Sequence, residues 1–234
     1  AGIDISQRVF QLFDSSLETE VFLEDGETVK PGDIAFIVKG SARSILTTER
    51  LVLNIMQRMS GIATKTNRMV KMIAHTKATL LDTRKTTPNF RLFEKQAVFI
   101  GGGGNHRFGL YDMVMIKDNH IDFAGSISNA ISAASEYLRS KGKNLSVEIE
   151  VRNKEELVEV LRHGGVHRIM LDNFSPSEIK EALKVIPEEI ETEASGGISE
   201  TTIEAYAETG VDFISVGELT HSVKSLDLAL KARP

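Results

Sequence analysis

Cysteine is absent from this 234-residue chain. It therefore holds no disulfide and no thiolate metal site, a composition that fits a reducing cytoplasm. No apolar run approaches the ~18 residues that a membrane helix needs, and no signal-peptide pattern opens the chain. Fixed-period repeats and low-complexity tracts are missing too. There is no HExxH metal motif, and glycines 101–104 do not form the GxGxxG of a dinucleotide site. A formal net charge of −5 argues against a nucleic-acid or other polyanion surface. What remains is ordinary for a globular protein, with 41% hydrophobic and 26% charged residues. The length suits one large α/β barrel or two modest domains.

Residues 1–47 read as short strands, GIDISQRVFQLFD, TEVFLEDGETV, GDIAFIVKG and ARSILTT, separated by Asp25-Gly26, Pro31-Gly32 and Gly40. A helical pattern follows over about 49–75, with Leu51, Ile55, Met59 and Ile62 near one face. From residue 77 strand and helix alternate, the strands being ATLLDT, AVFI, MVMIK, SVEIEV, RIMLD, IETEAS and FISVG. Asn153 with Glu156, and Ser175-Pro176-Ser177-Glu178, mark two helix starts. Short apolar strands alternating with amphipathic helices predict a parallel sheet in a closed or nearly closed barrel. The chain begins at Ala1 inside a pattern, so the N-terminal domain is expected to be truncated.

Nearly every apolar run ends in polar chemistry: Asp82 to Lys85, Lys117-Asp118, Glu148 and Glu150, Asp172-Asn173, Glu193 and Ser195, Gly217. Barrel active sites sit at that C-terminal face, whereas a lone charged strand end is usually a solvated terminus. Residues 84–120 carry six Lys and Arg against three Asp and Glu, a local +3 in a chain of −5. Arg84, Lys85, His106, Arg107 and Lys117 need either protein carboxylates or substrate anions beside them. Arg91 and Lys95, about one helical turn apart, read as exposed helix charges. Ser195-Gly196-Gly197 and Gly217, in the last two units, suit a phosphate cradle or two tight turns that need glycine. Glu150 and Asp172 suit ribose hydroxyls or a Mg²⁺ carried in by a phosphate ligand; the alternative is a salt bridge to nearby cations.

The segments TRKTTPNFR, GGGGNHRFGL, MIKDNHI, VEIEV, MLDNF, ASGGI and VDFISVGELTHS, in this order, resemble the quinolinate phosphoribosyltransferase family. ERLVLNIMQRMSGIATKT at 49–66 is similar to it as well, so the likeness covers nearly the whole chain. The resemblance implies an α/β protein: an incomplete, open TIM-like barrel at 49–220, including the linking helix 49–75, and a smaller α/β sandwich domain at 1–48. It places a C-terminal helix at 221–234, packed back on the sandwich. It implies transfer of phosphoribosyl from phosphoribosyl pyrophosphate to quinolinate, giving nicotinate mononucleotide, pyrophosphate and CO₂ for NAD biosynthesis. Arg84, His106, Arg107 and Lys117 are expected on the quinolinate carboxylates, with Arg50 reaching into a neighbouring subunit's site. Lys85, Glu150 and Asp172 are the expected catalytic residues, contacting phosphoribosyl pyrophosphate and its Mg²⁺. That ion is held mainly through substrate, with Glu150 and Asp172 as its protein ligands. Ser195, Gly196, Gly197, Gly217 and His221 form the expected phosphate cradle. The partners implied are these two substrates and a second copy of the chain, as a homodimer or higher oligomer, with neither nucleic acid nor membrane. Family members carry several tens of residues before the point where this chain starts. Asn89 stands where the family has TTPG, and IKDNH replaces IKENH. Rival readings are nicotinate phosphoribosyltransferase or a molybdenum-associated relative, and, from another class, a non-catalytic anion-binding barrel.

Overall fold

A computed structural model describes residues 1–232, which divide into two compact units. The first gathers residues 1–68, 85–103 and those from 218 on; the second gathers 69–84 and 104–217.

The first unit opens with helix α1 (Ile3–Phe13), where the sequence pattern predicts a strand. Ile3, Ser6 and Phe10 recur at helical spacing and are its buried residues. Strands β1 (Glu18–Val21) and β2 (Phe36–Lys39) pair antiparallel, Glu18 opposite Lys39. Phe10 meets Phe36 edge to face at 6.0 Å, and Ile3, Leu17, Val52 and Met56 complete the core around them. Helix α2 runs from Ala42 to Ile73, about 48 Å at the usual rise. Its first turns are the ARSILTT segment, also expected as a strand. The threonines there stay helical by bonding back along the helix, Thr47 Oγ1 to the Arg43 carbonyl at 2.7 Å and Thr48 Oγ1 to that of Ser44 at 2.9 Å. The boundary expected after residue 48 thus falls inside α2. AVFI is the last turn of helix α3 (Arg91–Ile100), with Ala97 and Val98 buried, and not a strand. Lys95 on that helix is buried at 2% exposure, against the exposed position expected.

The second unit is a six-stranded parallel sheet with helices between the strands. Strands β3 (Thr79–Leu81), β4 (Val114–Ile116), β5 (Val147–Val151), β6 (Arg168–Asp172), β7 (Glu191–Ser195) and β8 (Phe213–Ser215) lie in the order β3-β8-β7-β6-β5-β4. Among the described residues no strand pairing joins β4 to β3, so the barrel is open. Ile149, Val151, Ile169, Leu171, Ala194 and Ile214 are all buried, as strands covered on both faces require. Helices α4 (Asp118–Ala124), α5 (Ile127–Ser140), α6 (Lys154–His163), α7 (Pro176–Leu183) and α8 (Ile203–Ala207) intervene. The α7 start is a complete capping box between Ser175 and Glu178. Asn153 caps α6, but Glu156 returns its bond to the Arg152 amide instead of to Asn153. Because the strands are parallel, their C-terminal ends line one edge and carry the candidate residues there.

After β8 the chain rejoins the first unit through the short helix α9 (Glu218–His221). The expected C-terminal helix is not formed by residues 222–232; its last two positions lie outside the described residues. The segment instead lies along α2: the Leu226 amide donates to the Gln57 carbonyl at 3.0 Å, and Gln57 Nε2 donates to that of Leu228 at 2.9 Å. Gly61 permits this approach, since a Cβ there would stand 2.5 Å from the Lys224 carbonyl oxygen.

Candidate active site

The second unit brings Arg84, Arg107, Lys117, Glu150, Asp172, Ser195 and Gly196 to the C-terminal ends of its strands. Lys117 follows β4 and Glu150 lies on β5, whose registers match Ile116 to Ile149. Their side chains form an ion pair. Arg107 is buried and donates from Nη1 to the Met113 carbonyl at 3.2 Å. Its guanidinium is held below the usual pKa by burial first and then by the like charge of Arg84; Glu148, Asp112 and Glu150 oppose that shift. Two arginines close enough to repel, at a site bordered by one Lys–Glu pair, make a place for an added anion.

Beneath them lies a buried polar cluster. Leu81 and Gly104 form a parallel bridge, which delivers Asn105, His106 and Arg107 beside the end of β3. There Asp82, fully buried, accepts the His106 amide at 2.8 Å. His106 Nε2 stands 3.0 Å from Glu148 and 3.4 Å from Glu193. Arg168 bonds Glu193 at 3.0 Å and Glu191 at 2.8 Å and stacks over the Phe213 ring at 3.9 Å. Burial, then the Glu193 charge, pushes the Glu148 pKa up to about 7. For His106, burial works downward, but the two carboxylates outweigh it and raise the pKa to about 9. The Arg107 amide decides where the proton sits: it donates into His106 Nδ1 at 2.7 Å, so that nitrogen keeps its lone pair. The ring proton on Nε2 therefore faces Glu148 and Glu193. The same tautomer argues against a metal here, although the three donor atoms lie within 4.8 Å of one another, because a metal would need the Nε2 lone pair.

The opposite side of the sheet end is built from β6, β7 and β8. Asp172 pairs in register with Ser195, the Asn173 amide donates to the Ser195 carbonyl at 2.8 Å, and Ser215 Oγ donates to Ser195 Oγ at 3.0 Å. Asn173 Nδ2 donates to Asp172 at 2.8 Å. Gly196 has φ 94°, and a Cβ there would stand 2.3 Å from Asn173 Oδ1, so only glycine fits. Gly197 is exposed and Gly217 half-buried beyond β8. The remaining candidates, Arg50, Lys85 and His221, belong to the first unit and are exposed. Sequence reading does not find Arg168. Its signal is a lone cation opening an apolar strand flanked by strands that bear Glu148 and Glu193.

Comparison with known proteins finds relatives over nearly the whole chain. Residues 62–231 match the family described as quinolinate phosphoribosyl transferase, C-terminal domain, and residues 1–60 match its N-terminal domain. The chain is 46% identical to a nicotinate-nucleotide pyrophosphorylase (carboxylating), chloroplastic, of Arabidopsis thaliana, over 99% of this chain and 70% of that protein. It is 43% identical to a probable nicotinate-nucleotide pyrophosphorylase (carboxylating) of Bacillus subtilis, over 98% of this chain and 78% of that protein. A solved nicotinate-nucleotide pyrophosphorylase from Francisella tularensis superposes with a TM-score of 0.91 at 43% identity, covering 98% of this chain and 80% of the other. No helix among the described residues is long and apolar enough to cross a membrane.

Proposed function

Because the chain belongs to the quinolinate phosphoribosyl transferase family, we propose that it joins quinolinate to phosphoribosyl pyrophosphate, releasing pyrophosphate and CO₂ and leaving nicotinate mononucleotide. The pyridine nitrogen bonds to the anomeric carbon as the bond to pyrophosphate oxygen breaks, the electron pair leaving with pyrophosphate. The 2-carboxylate departs as CO₂, and the electron pair left on the ring carbon takes up a proton. The observation that carries this reading is the Lys117–Glu150 pair at adjacent strand ends, beside Arg107 and Arg84. It puts cations suited to a dicarboxylate next to a carboxylate suited to the positive charge that develops on the ribose.

Arg84, Arg107 and Lys117 are assigned to the acceptor's carboxylates. The sequence points to His106 for the same role, but both its ring nitrogens face protein groups, so we assign it the placement of Arg107. Asp172 with Ser195, Gly196, Gly197 and Gly217 is assigned to the donor's ribose and 5′-phosphate, and Lys85 and His221 to the donor's phosphates. Glu150 and Asp172 are hard oxygen donors on neighbouring strands, which fits Mg²⁺ held by one or two carboxylates together with phosphate oxygens. When bound, that ion neutralises charge on pyrophosphate. Arg50 is assigned to the site of a second copy of this chain.

The test is formation of nicotinate mononucleotide and CO₂ from quinolinate and phosphoribosyl pyrophosphate, with nicotinate as the comparison acceptor. Turnover of quinolinate is expected; turnover of nicotinate alone, or binding without pyrophosphate release, overturns the reading.

A further inference from the structure

Lys85 and His221 lie on chain segments more than a hundred residues apart, and one buried ion pair in the first unit joins those segments. Glu94, on α3, has a side chain with 0% exposure. Its Oε2 accepts the Thr87 amide at 3.0 Å, and its Oε1 accepts the Thr87 hydroxyl at 2.8 Å. The same Oε1 accepts Arg58 Nε at 3.0 Å and Nη2 at 2.8 Å. Arg58, on α2, also donates from Nη1 to the Val223 carbonyl at 3.3 Å and from Nη2 to the Thr220 carbonyl. These carbonyls lie at the end of α9, where a four-residue helix has no partners of its own to offer. Lys65, two turns further along the same face of α2, donates to the Glu218 and Ser222 carbonyls at 3.2 Å each and pairs with the Glu218 carboxylate at 3.2 Å. The ring of contacts closes at Thr220, whose Oγ1 donates to the Lys85 carbonyl at 2.9 Å.

We propose that Arg58 and Glu94 are a positioning pair which, through Thr87 and Thr220, fixes Lys85 and His221 relative to each other for the phosphoribosyl pyrophosphate donor. Neither member of the pair is assigned to substrate. Glu94 holds the 85–90 loop by its Thr87 bonds, and Arg58 holds the segment of His221 by the α9 carbonyls. A planar fork of donors lets Arg58 serve a carboxylate and two carbonyls together. The inference rests on the donor assignment made above.

Thr220→Val removes the closing hydroxyl with little change of shape, and Thr220→Ser restores it. Thr220→Val is expected to weaken phosphoribosyl pyrophosphate binding about tenfold, one hydrogen bond's worth. The KM for quinolinate should stay that of the wild type, and Thr220→Ser should recover the affinity. Unchanged donor affinity in Thr220→Val, or equal rises in both KM values, overturns the proposal. Calorimetry with phosphoribosyl pyrophosphate alone needs no turnover. A wild type that binds it yet makes no nicotinate mononucleotide therefore overturns the functional reading and leaves the positioning comparison standing. A wild type that does not bind it overturns both.

Discussion

Lys117 and Glu150 neutralise each other across adjacent strands, and an acceptor carboxylate arriving at Lys117 would share its charge. Lys117→Ala removes one charge-assisted bond, so quinolinate affinity is expected to fall about 10- to 100-fold while donor affinity holds. Calorimetric titration with each substrate checks this, and equal losses would count against the assignment. Asn89 is a second residue with a definite consequence. It takes φ 61°, the left-handed region that glycine adopts without cost and asparagine tolerates. Asn89→Gly should leave unfolding free energy nearly unchanged, whereas Asn89→Val should cost about 1–2 kcal/mol in denaturant titration. Part of this scale is legible from sequence: Lys117, Glu150, Asp172 and Ser195 stand at the C-terminal ends of their strands, whereas Glu148 and Glu193, read as strand ends, lie inside β5 and β7. The direction of a side chain is not, and His106 shows why. Its main chain is held by Asp82, and its ring is aimed by the Arg107 amide at one nitrogen and by two glutamates from distant strands at the other.

The misread elements share a cause, which is that local texture was outweighed by partners far along the chain. AVFI is as apolar as a strand, yet Ala97 and Val98 are buried as helix positions of α3. ARSILTT has β-branched residues, yet it prolongs a helix whose next turns carry Val52 and Met56 into the core. The segment after α9 stays extended because the backbone and side chain of Gln57 on α2 hold it. The strands were easier, since continuous apolar runs bounded by charge have few alternatives. Their entry ends are tied by Asp212, whose carboxylate accepts the Thr192 amide at 2.9 Å, the Thr192 hydroxyl at 2.7 Å and Lys77 Nζ at 2.7 Å. Burial opposes that charge, but Lys77 and the Thr192 bonds outweigh it and hold the pKa below its ordinary 3.8. A depressed carboxyl pKa adds stability above the unfolded value and loses it as pH falls through the folded one. The wild type should therefore lose stability more steeply below about pH 4 than Asp212→Asn does. Thermal midpoints measured across that range check it, and parallel acid limbs would remove Asp212 from the account.

At the scale of the whole molecule the sequence suggested consecutive domains, but the compact units are interleaved: residues 85–103 and those from 218 on belong with the N-terminal unit. Contiguous reading has no signal for that, because it arises when buried groups such as Glu94 and Thr220 find partners on α2. The same helix carries an outward face around Arg50. Arg50 has a side chain with 71% exposure, its ion pair with neighbouring Glu49 is a long 4.0 Å contact, and Leu46 and Leu51 beside it are exposed. Exposed leucines flanking an extended arginine suit a two-fold contact in which each copy lends Arg50 to the other's acceptor site. Arg50→Ala and Lys117→Ala chains would each be nearly inactive alone. Co-refolded in equal amounts, half the dimers would be hybrids, each with one doubly altered site and one intact site. About a quarter of wild-type activity should then return. A chain carrying both substitutions, refolded with an equal amount of wild type, supplies the control: both sites of its hybrids are altered, so only the quarter of activity from wild-type homodimers should remain, whereas an Arg50 acting in its own chain would leave half. No recovery on mixing, with hybrid dimers demonstrated by mass, would place Arg50 outside the partner's site.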